Sequence, residues 1–308
     1  MPPEPTLPFA DGPGAIGDLV DPVLVDPSPA LLRAVIEAYR EAAPDLVDPG
    51  VPTLRAAGSV STADSPESPT DRASGLPRLT VLASDGAVDA VAERFRIATR
   101  LAALAEAGVC DLLALRDPQP NAALVGRETG HVLAAGERRA DGDADADRTD
   151  AWCRVGDDPT LRERYDPLVG AAEARRLLAP SRRRVYEAVR DRFDAAVAAD
   201  VVRALDAEIR GAADERLDLA GARVRAYVVG AHHGALDRDL RRACEDAGIG
   251  SSATFTSVKR DLRAAGVLGA ESVGGSVGRS RDRLVARGAL AEADGPVAAV
   301  AAALEALE

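Results

Sequence analysis

The chain has 308 residues, of which 46% are apolar and only 3% aromatic, and 50 acidic groups oppose 38 basic ones for a formal net charge of −12. That length accommodates two modest domains with linkers. It contains no apolar run of the roughly 18 residues that a membrane-spanning helix needs, and Met1 to Pro8 lacks the basic patch and apolar stretch of a secretory signal.

The expected setting is therefore the cytoplasm, with no membrane partner. Lys259 is the sole lysine. A surplus of Asp and Glu with lysine nearly eliminated suits a cytoplasm rich in potassium salt, where acidic surfaces stay hydrated, and points to a halophilic archaeon. Cys110, Cys153 and Cys244 are widely spaced and form no Cys-x-x-Cys, so neither a zinc ribbon nor a disulfide framework is expected. They read as small buried or half-buried apolar residues.

Residues 1–20, rich in Pro, Gly and Asp, predict a disordered tail. Residues 21–140 predict an α/β sensor-like domain of βαβαβ type. Val23-Leu24-Val25 is its first strand, followed by a helix that starts on Pro29 with Ser28 as N-cap. A Ser-, Pro- and Gly-rich stretch at about 48–77 reads as a flexible insertion. Leu79 to Ala83 is the next strand, and Ser84 or Asp85 can cap the helix that runs to about Ala107. Val109 to Leu115 is a third strand, and Ala122–Val125 with His131–Ala135 form a hairpin. The alternation predicts a mainly parallel sheet with helices packed on it.

Asp141-Gly-Asp-Ala-Asp-Ala-Asp has the acidity of a calcium loop. Neither frame supplies the glycine and glutamate that an EF-hand requires at its sixth and twelfth positions, so 141–158 is read as an acidic linker. Residues 159–212 predict a helical linker. Within it Val185, Val189, Phe193, Val197, Val201, Leu205 and Ile209 recur every four residues. Such an apolar stripe either pairs with a second copy, giving a homodimer, or packs back on the first domain.

Residues 213–291 carry the densest pattern. Three helices are expected at about 217–229, 236–246 and 251–265, with Ala247-Gly248-Ile249-Gly250 as the tight turn before the third. That is a helix-turn-helix layout. On the third helix Phe255, Val258 and Leu262 share an apolar face. The opposite side offers Thr256, Ser257 and Arg260 to base edges, flanked by Arg263, with Lys259 nearer the core edge. Ser251, Ser252 and the first amides of that helix are placed to grip a phosphate. Two strands around Gly274 to Gly278 then form a wing, on which Arg279, Arg281 and Arg283 alternate onto one face. Residues 251–288 hold seven basic groups against three acidic ones, a net of +4 that leaves −16 for the rest of the chain. A basic island in an acidic chain is the electrostatic footprint of a nucleic-acid site, here double-stranded DNA. A C-terminal helix is expected over 292–308.

The run Gly248 to Phe255, Val258-Lys259, Leu262, Ala265 to Leu268 and the wing Val277-Gly278-Arg279-Ser280-Arg281 resemble the haloarchaeal TbsP-type transcriptional regulators. Val23 to Ser28 and Leu79 to Ala83 resemble that family's N-terminal half. The resemblance implies a sequence-specific transcription factor for genes of central carbon or sugar metabolism, responsive to a sugar-derived metabolite. In that family proline tends to stand at the place of Ser280 and an apolar residue at the place of Asp282.

Ser28, Ser84 and Asp85 would share one sheet edge if the first two strands run parallel, and helix N-termini there attract anions such as a phosphorylated sugar-type effector. Plain helix capping explains the same residues. There is no phosphate-binding loop, no Gly-x-Gly-x-x-Gly after a strand, and His131, His232 and His233 lack metal-site spacing. No catalytic residue, metal or cofactor is therefore expected. The competing reading is a small-molecule-binding or enzymatic α/β protein whose C-terminal helices only mediate association.

Overall fold

A computed structural model describes residues 4–9, 12–59, 75–134, 151–155, 160–208, 217–274 and 281–307. Asp141 to Asp147, residues 60–74 of the expected insertion, Ile209 and Arg279 lie outside them, whereas Val51–Ser59 of that insertion is a helix with Leu54 buried, which corrects the flexible reading there. The chain divides into two compact units. The first comprises Met1–Asp48, Pro66–Val91 and Ala103–Arg176; the second comprises Pro49–Ser65, Ala92–Ala102 and Leu177–Glu308.

The first unit carries eight strands: β1 (Thr6–Phe9), β2 (Gly12–Ala15), β3 (Val23–Val25), β4 (Leu79–Ala83), β5 (Cys110–Ala114), β6 (Ala123–Val125), β7 (Gly130–Ala134) and β8 (Ala151–Arg154). They form one sheet in the order β2-β1-β8-β7-β6-β3-β4-β5. β3, β4 and β5 make a parallel block, with Val23 opposite Thr80 and Val81 opposite Leu112, and β1 also pairs parallel with β8. The β3–β6, β6–β7 and β7–β8 pairs are antiparallel. The mainly parallel expectation is thus corrected to a mixed sheet. Short returns such as 126–129 allow hairpins, whereas parallel neighbours need long crossovers.

Those crossovers run through α1 (Pro29–Ala42) and α2 (Pro44–Val47), and then α3 (Val51–Ser59), before β4. From β4 to β5 the chain passes through α4 (Asp85–Ala92) and α5 (Phe95–Glu106), and α6 (Thr160–Ala171) follows β8. Every residue of β3 is buried, as a strand covered on both faces should be. Val23 and Val25 meet Tyr165 of α6, together with Leu82 and Val125.

Three local expectations change. The tail at 1–20 contributes β1 and β2, with Leu7 and Ile16 buried. The acidic linker contains β8, where Trp152 is buried. Proline and glycine suppress a strand signal, but an edge strand tolerates both, and Phe9 pairs with Trp152 far along the chain. Cys110 and Cys244 are buried as expected, with thiols pushed up to about 12 by desolvation, whereas Cys153 is exposed.

The second unit is built from α7 (Arg182–Arg192), α8 (Ala195–Asp206), α9 (Leu219–His232), α10 (Asp237–Ala247), α11 (Ser252–Ala264), the hairpin β9 (Leu268–Val273) and β10 (Arg281–Ala286), then α12 (Ala289–Glu292) and α13 (Pro296–Glu305). The four-residue apolar stripe does not lie on one helix. Asp194 leaves helical geometry and accepts from the backbone N–H of Ala196 and Val197, so α7 ends and α8 begins there. Val185, Val189, Val197 and Val201 are buried in the unit's own core with Tyr227, Leu240 and Val300. From Val185 to Leu205 the stripe packs into this core and is not an open dimer face. Among the described residues no helix is long and apolar enough to cross a membrane.

Candidate nucleic-acid interface

Helices α9, α10 and α11 form the three-helix core of the site. At the end of α10, Gly248 adopts a left-handed φ of 84°, and the N–H groups of Gly248 and Ile249 cap the carbonyls of Glu245 and Cys244. A β-carbon is strained in that region, which is why glycine stands at the turn. Ser251 then caps α11, accepting from the N–H of Thr254 at 3.3 Å.

α11 buries Phe255 and Leu262 completely, and the Phe255 ring stacks on Tyr227 at 5.8 Å between centroids. Ser252, Ala253, Thr256, Arg260 and Arg263 are exposed, while Ser257, Val258 and Lys259 are half-buried. The face expected to meet DNA is therefore the open face, with three changes of detail.

First, Lys259 is not an open cation. Its ammonium donates to Asp237 at 2.9 Å and to Asp282 on β10 at 3.3 Å. Asp237 is buried and also accepts from the hydroxyl of Tyr227 and from two nitrogens of Arg241. Burial alone would push the Asp237 carboxyl up. The bonds from Arg241, Tyr227 and Lys259 outweigh it and hold the group below its ordinary range. Burial and the bond to Asp237 push the Tyr227 phenol the other way, upward. One carboxylate thus ties α9, α10 and α11 together, and Lys259 links that centre to the wing.

Second, the hydroxyl of Thr256 donates to the carbonyl of Ser252 at 3.0 Å and accepts from Arg241 at 3.0 Å. With the hydroxyl proton engaged, the methyl group is what Thr256 has to offer. Third, the Ser252 amide donates to the carboxylate of Glu245. An anion already occupies the helix start where a phosphate was expected, which corrects the role given to Ser251 and Ser252.

Arg260 remains open. Its side chain is 74% exposed, donating to Ser257 at 2.8 Å and to the exposed Asp261 at 3.2 Å. On the wing, Arg281 lies opposite Val273 and Arg283 opposite Glu271, both arginines exposed. Between them Asp282 turns the other way to reach Lys259, as strand alternation requires. The wing is pinned to the helices because Leu284 N–H donates to the carbonyl of Ala235 at 2.9 Å and Leu236 bridges Arg283.

Residues 181–303 match the family model described as transcriptional regulator TbsP-like, C-terminal HTH domain. The segment is thus similar to the helix-turn-helix domain of TbsP-like regulators over 123 of the 308 residues, which supports DNA-binding transcription regulation. The matched segment includes α7 and α8, whose buried residues share one core with α9 and α10. No curated protein and no solved structure matches the chain.

In the first unit β3 and β4 are parallel, so Ser28 and Ser84 do sit at neighbouring strand ends. Each hydroxyl accepts from its own helix, from Leu31 at 3.2 Å and Ala87 at 3.3 Å. Asp85 pairs with Arg175 at 3.0 Å. Capping and one ion pair account for all three.

Sequence reasoning missed Asp237 and Tyr227. Asp237 reads as an ordinary acid in a first helical turn, and nothing local signals that Tyr227, Arg241 and Lys259 converge on it.

Proposed function

We propose that the chain is a sequence-specific regulator that lays the open face of α11 in the major groove of duplex DNA. The observation that carries this reading is the open guanidinium of Arg260 among small neighbours, Ser252, Ala253 and Thr256. Small side chains let the helix approach base edges, and an arginine there takes guanine through two bonds. The Thr256 methyl suits a thymine methyl, Ser257 steadies Arg260, and Arg263 flanks the groove. Arg281 and Arg283, with Arg279 outside the described residues, take phosphates, which position the protein without reading sequence.

The test is a mobility-shift titration of the full-length chain with a mixed-sequence duplex, taken up to about 1 M KCl because counterion release weakens as salt rises. A retained complex is expected; no complex at any salt concentration overturns the reading.

Following the resemblance, we place the protein in a salt-rich archaeal cytoplasm, acting on genes of central carbon or sugar metabolism, with a phosphorylated sugar as effector of the sheet unit. Occupancy mapping with and without sugar checks both assignments, and sites that avoid such genes or ignore sugar reject them. A homodimer on two half-sites would use a surface other than the buried α7–α8 stripe. Light scattering of the free chain and its DNA complex decides this, and one copy per duplex excludes it.

A further inference from the structure

We infer that a cleft between α10 and the wing is a second anchor for the DNA backbone, in which Arg238, Arg242 and Arg281 close on one phosphate. The inference rests on the DNA-binding reading above and adds Arg238 and Arg242, which that reading does not use.

The cleft holds about 120 Å³ and is lined by Leu236, Arg238, Asp239, Arg242, Arg281 and Asp282. Arg238 and Arg242 stand one turn apart on α10 and are exposed. Arg281 reaches in from β10, which the bond from Leu284 to Ala235 holds beside the start of α10. Among the described residues none of these three guanidinium groups makes an ion pair. Two carboxylates share the cleft, and Asp282 is already engaged by Lys259. Three cations therefore face one carboxylate, Asp239, that no other cation neutralises, and the surplus invites an anion.

Size selects the kind of anion. Pockets that enclose small organic ligands measure roughly 300–1,000 Å³, so this cleft is sized for a phosphate group and not to enclose a whole sugar phosphate. A backbone phosphate brings only that group and leaves its sugars outside. Guanidinium groups suit it because their planar forks match phosphate oxygens.

The experiment measures binding of the full-length chain to a mixed-sequence duplex across a KCl series, for wild type and the Arg238→Gln/Arg242→Gln double variant. Thermal melting checks that the variant is folded. About tenfold weaker binding is expected, with the slope of log K against log salt smaller by about 0.9, the share of the one phosphate contact that is lost. Unchanged affinity and slope in a folded variant overturn the inference while leaving the DNA reading intact. Failure of wild type to bind duplex removes both. Titration with inorganic phosphate is the second arm. If wild type binds phosphate and the variant does not, while both keep the same duplex slope, the cleft serves a small phosphate ligand and the backbone assignment is wrong.

Discussion

Among the described residues most arginines of the sheet unit form surface ion pairs, whereas most of those around α11 do not. In the sheet unit Arg78 pairs with Asp111 at 2.7 Å, Arg127 with Asp21 at 3.0 Å, Arg162 with Asp166 at 2.6 Å and Arg175 with Asp89 at 2.7 Å. Around α11 the pairing moves inward. Asp237 gathers Arg241 and Lys259, and among the described residues Arg238, Arg242, Arg263, Arg281 and Arg283 have no ion pair. Self-repulsion among unpaired cations costs stability, so a surface that keeps them is organised for an anion from outside. A cation's role thus follows from its partner and not from its place in a basic run. Lys259 and Arg260 are adjacent in sequence, yet one is internal and the other open.

Removing Asp237 should break this arrangement most severely. Asp237→Ala leaves Arg241 and Lys259 half-buried without their acid, at a cost of about 3 kcal/mol, measurable by urea denaturation. Loss below about 1 kcal/mol would mean that the network does not organise the domain. Asp237 is held below its ordinary range, so its stabilisation is complete above about pH 4 and is lost as pH falls through the lower folded value. The less disruptive Asp237→Asn should flatten that acid limb of the stability curve; an unaltered limb would contradict the assignment.

Arg260→Ala comes next, with about 1–3 kcal/mol lost at one base position and little change in folding stability. Lys259→Met is the sharper discriminator. It should cost about 1 kcal/mol of stability, as removal of one hydrogen-bonded charge does, and leave the salt slope of duplex binding unchanged. A slope lower by about 1 would show that Lys259 touches phosphate after all. The smallest effect is expected at Arg78→Ala, whose pair with Asp111 is exposed on both sides: below about 1 kcal/mol, with no change in DNA affinity. A change in affinity there would mean that the sheet unit also contacts DNA.

Much of the DNA-binding layout was legible because its signals are local. The glycine at 248, the serine caps and the 3.6-residue apolar rhythm place α9, α10 and α11 within a few residues of where they stand. Val23–Val25 and Leu79–Ala83 emerged as strands for the same reason. Non-local matters were hidden. Phe9 needs Trp152 to become part of a sheet, and no periodicity announces that pair. The stripe from Val185 to Leu205 looked continuous because its spacing survives the break at Asp194, where one capping carboxylate overrides the pattern. Lys259, placed nearer the core edge, was still counted among the DNA-binding residues because its partners lie 22 and 23 residues away in the chain.

Selection of bound duplexes from a random-sequence library, by wild type and by Arg260→Ala, addresses the role of α11 most directly. Wild type should enrich a motif containing an invariant guanine, and the variant should keep that motif with this one position degenerate. Identical motifs from both proteins, or no enrichment by wild type, would contradict a recognition helix that reads bases through Arg260.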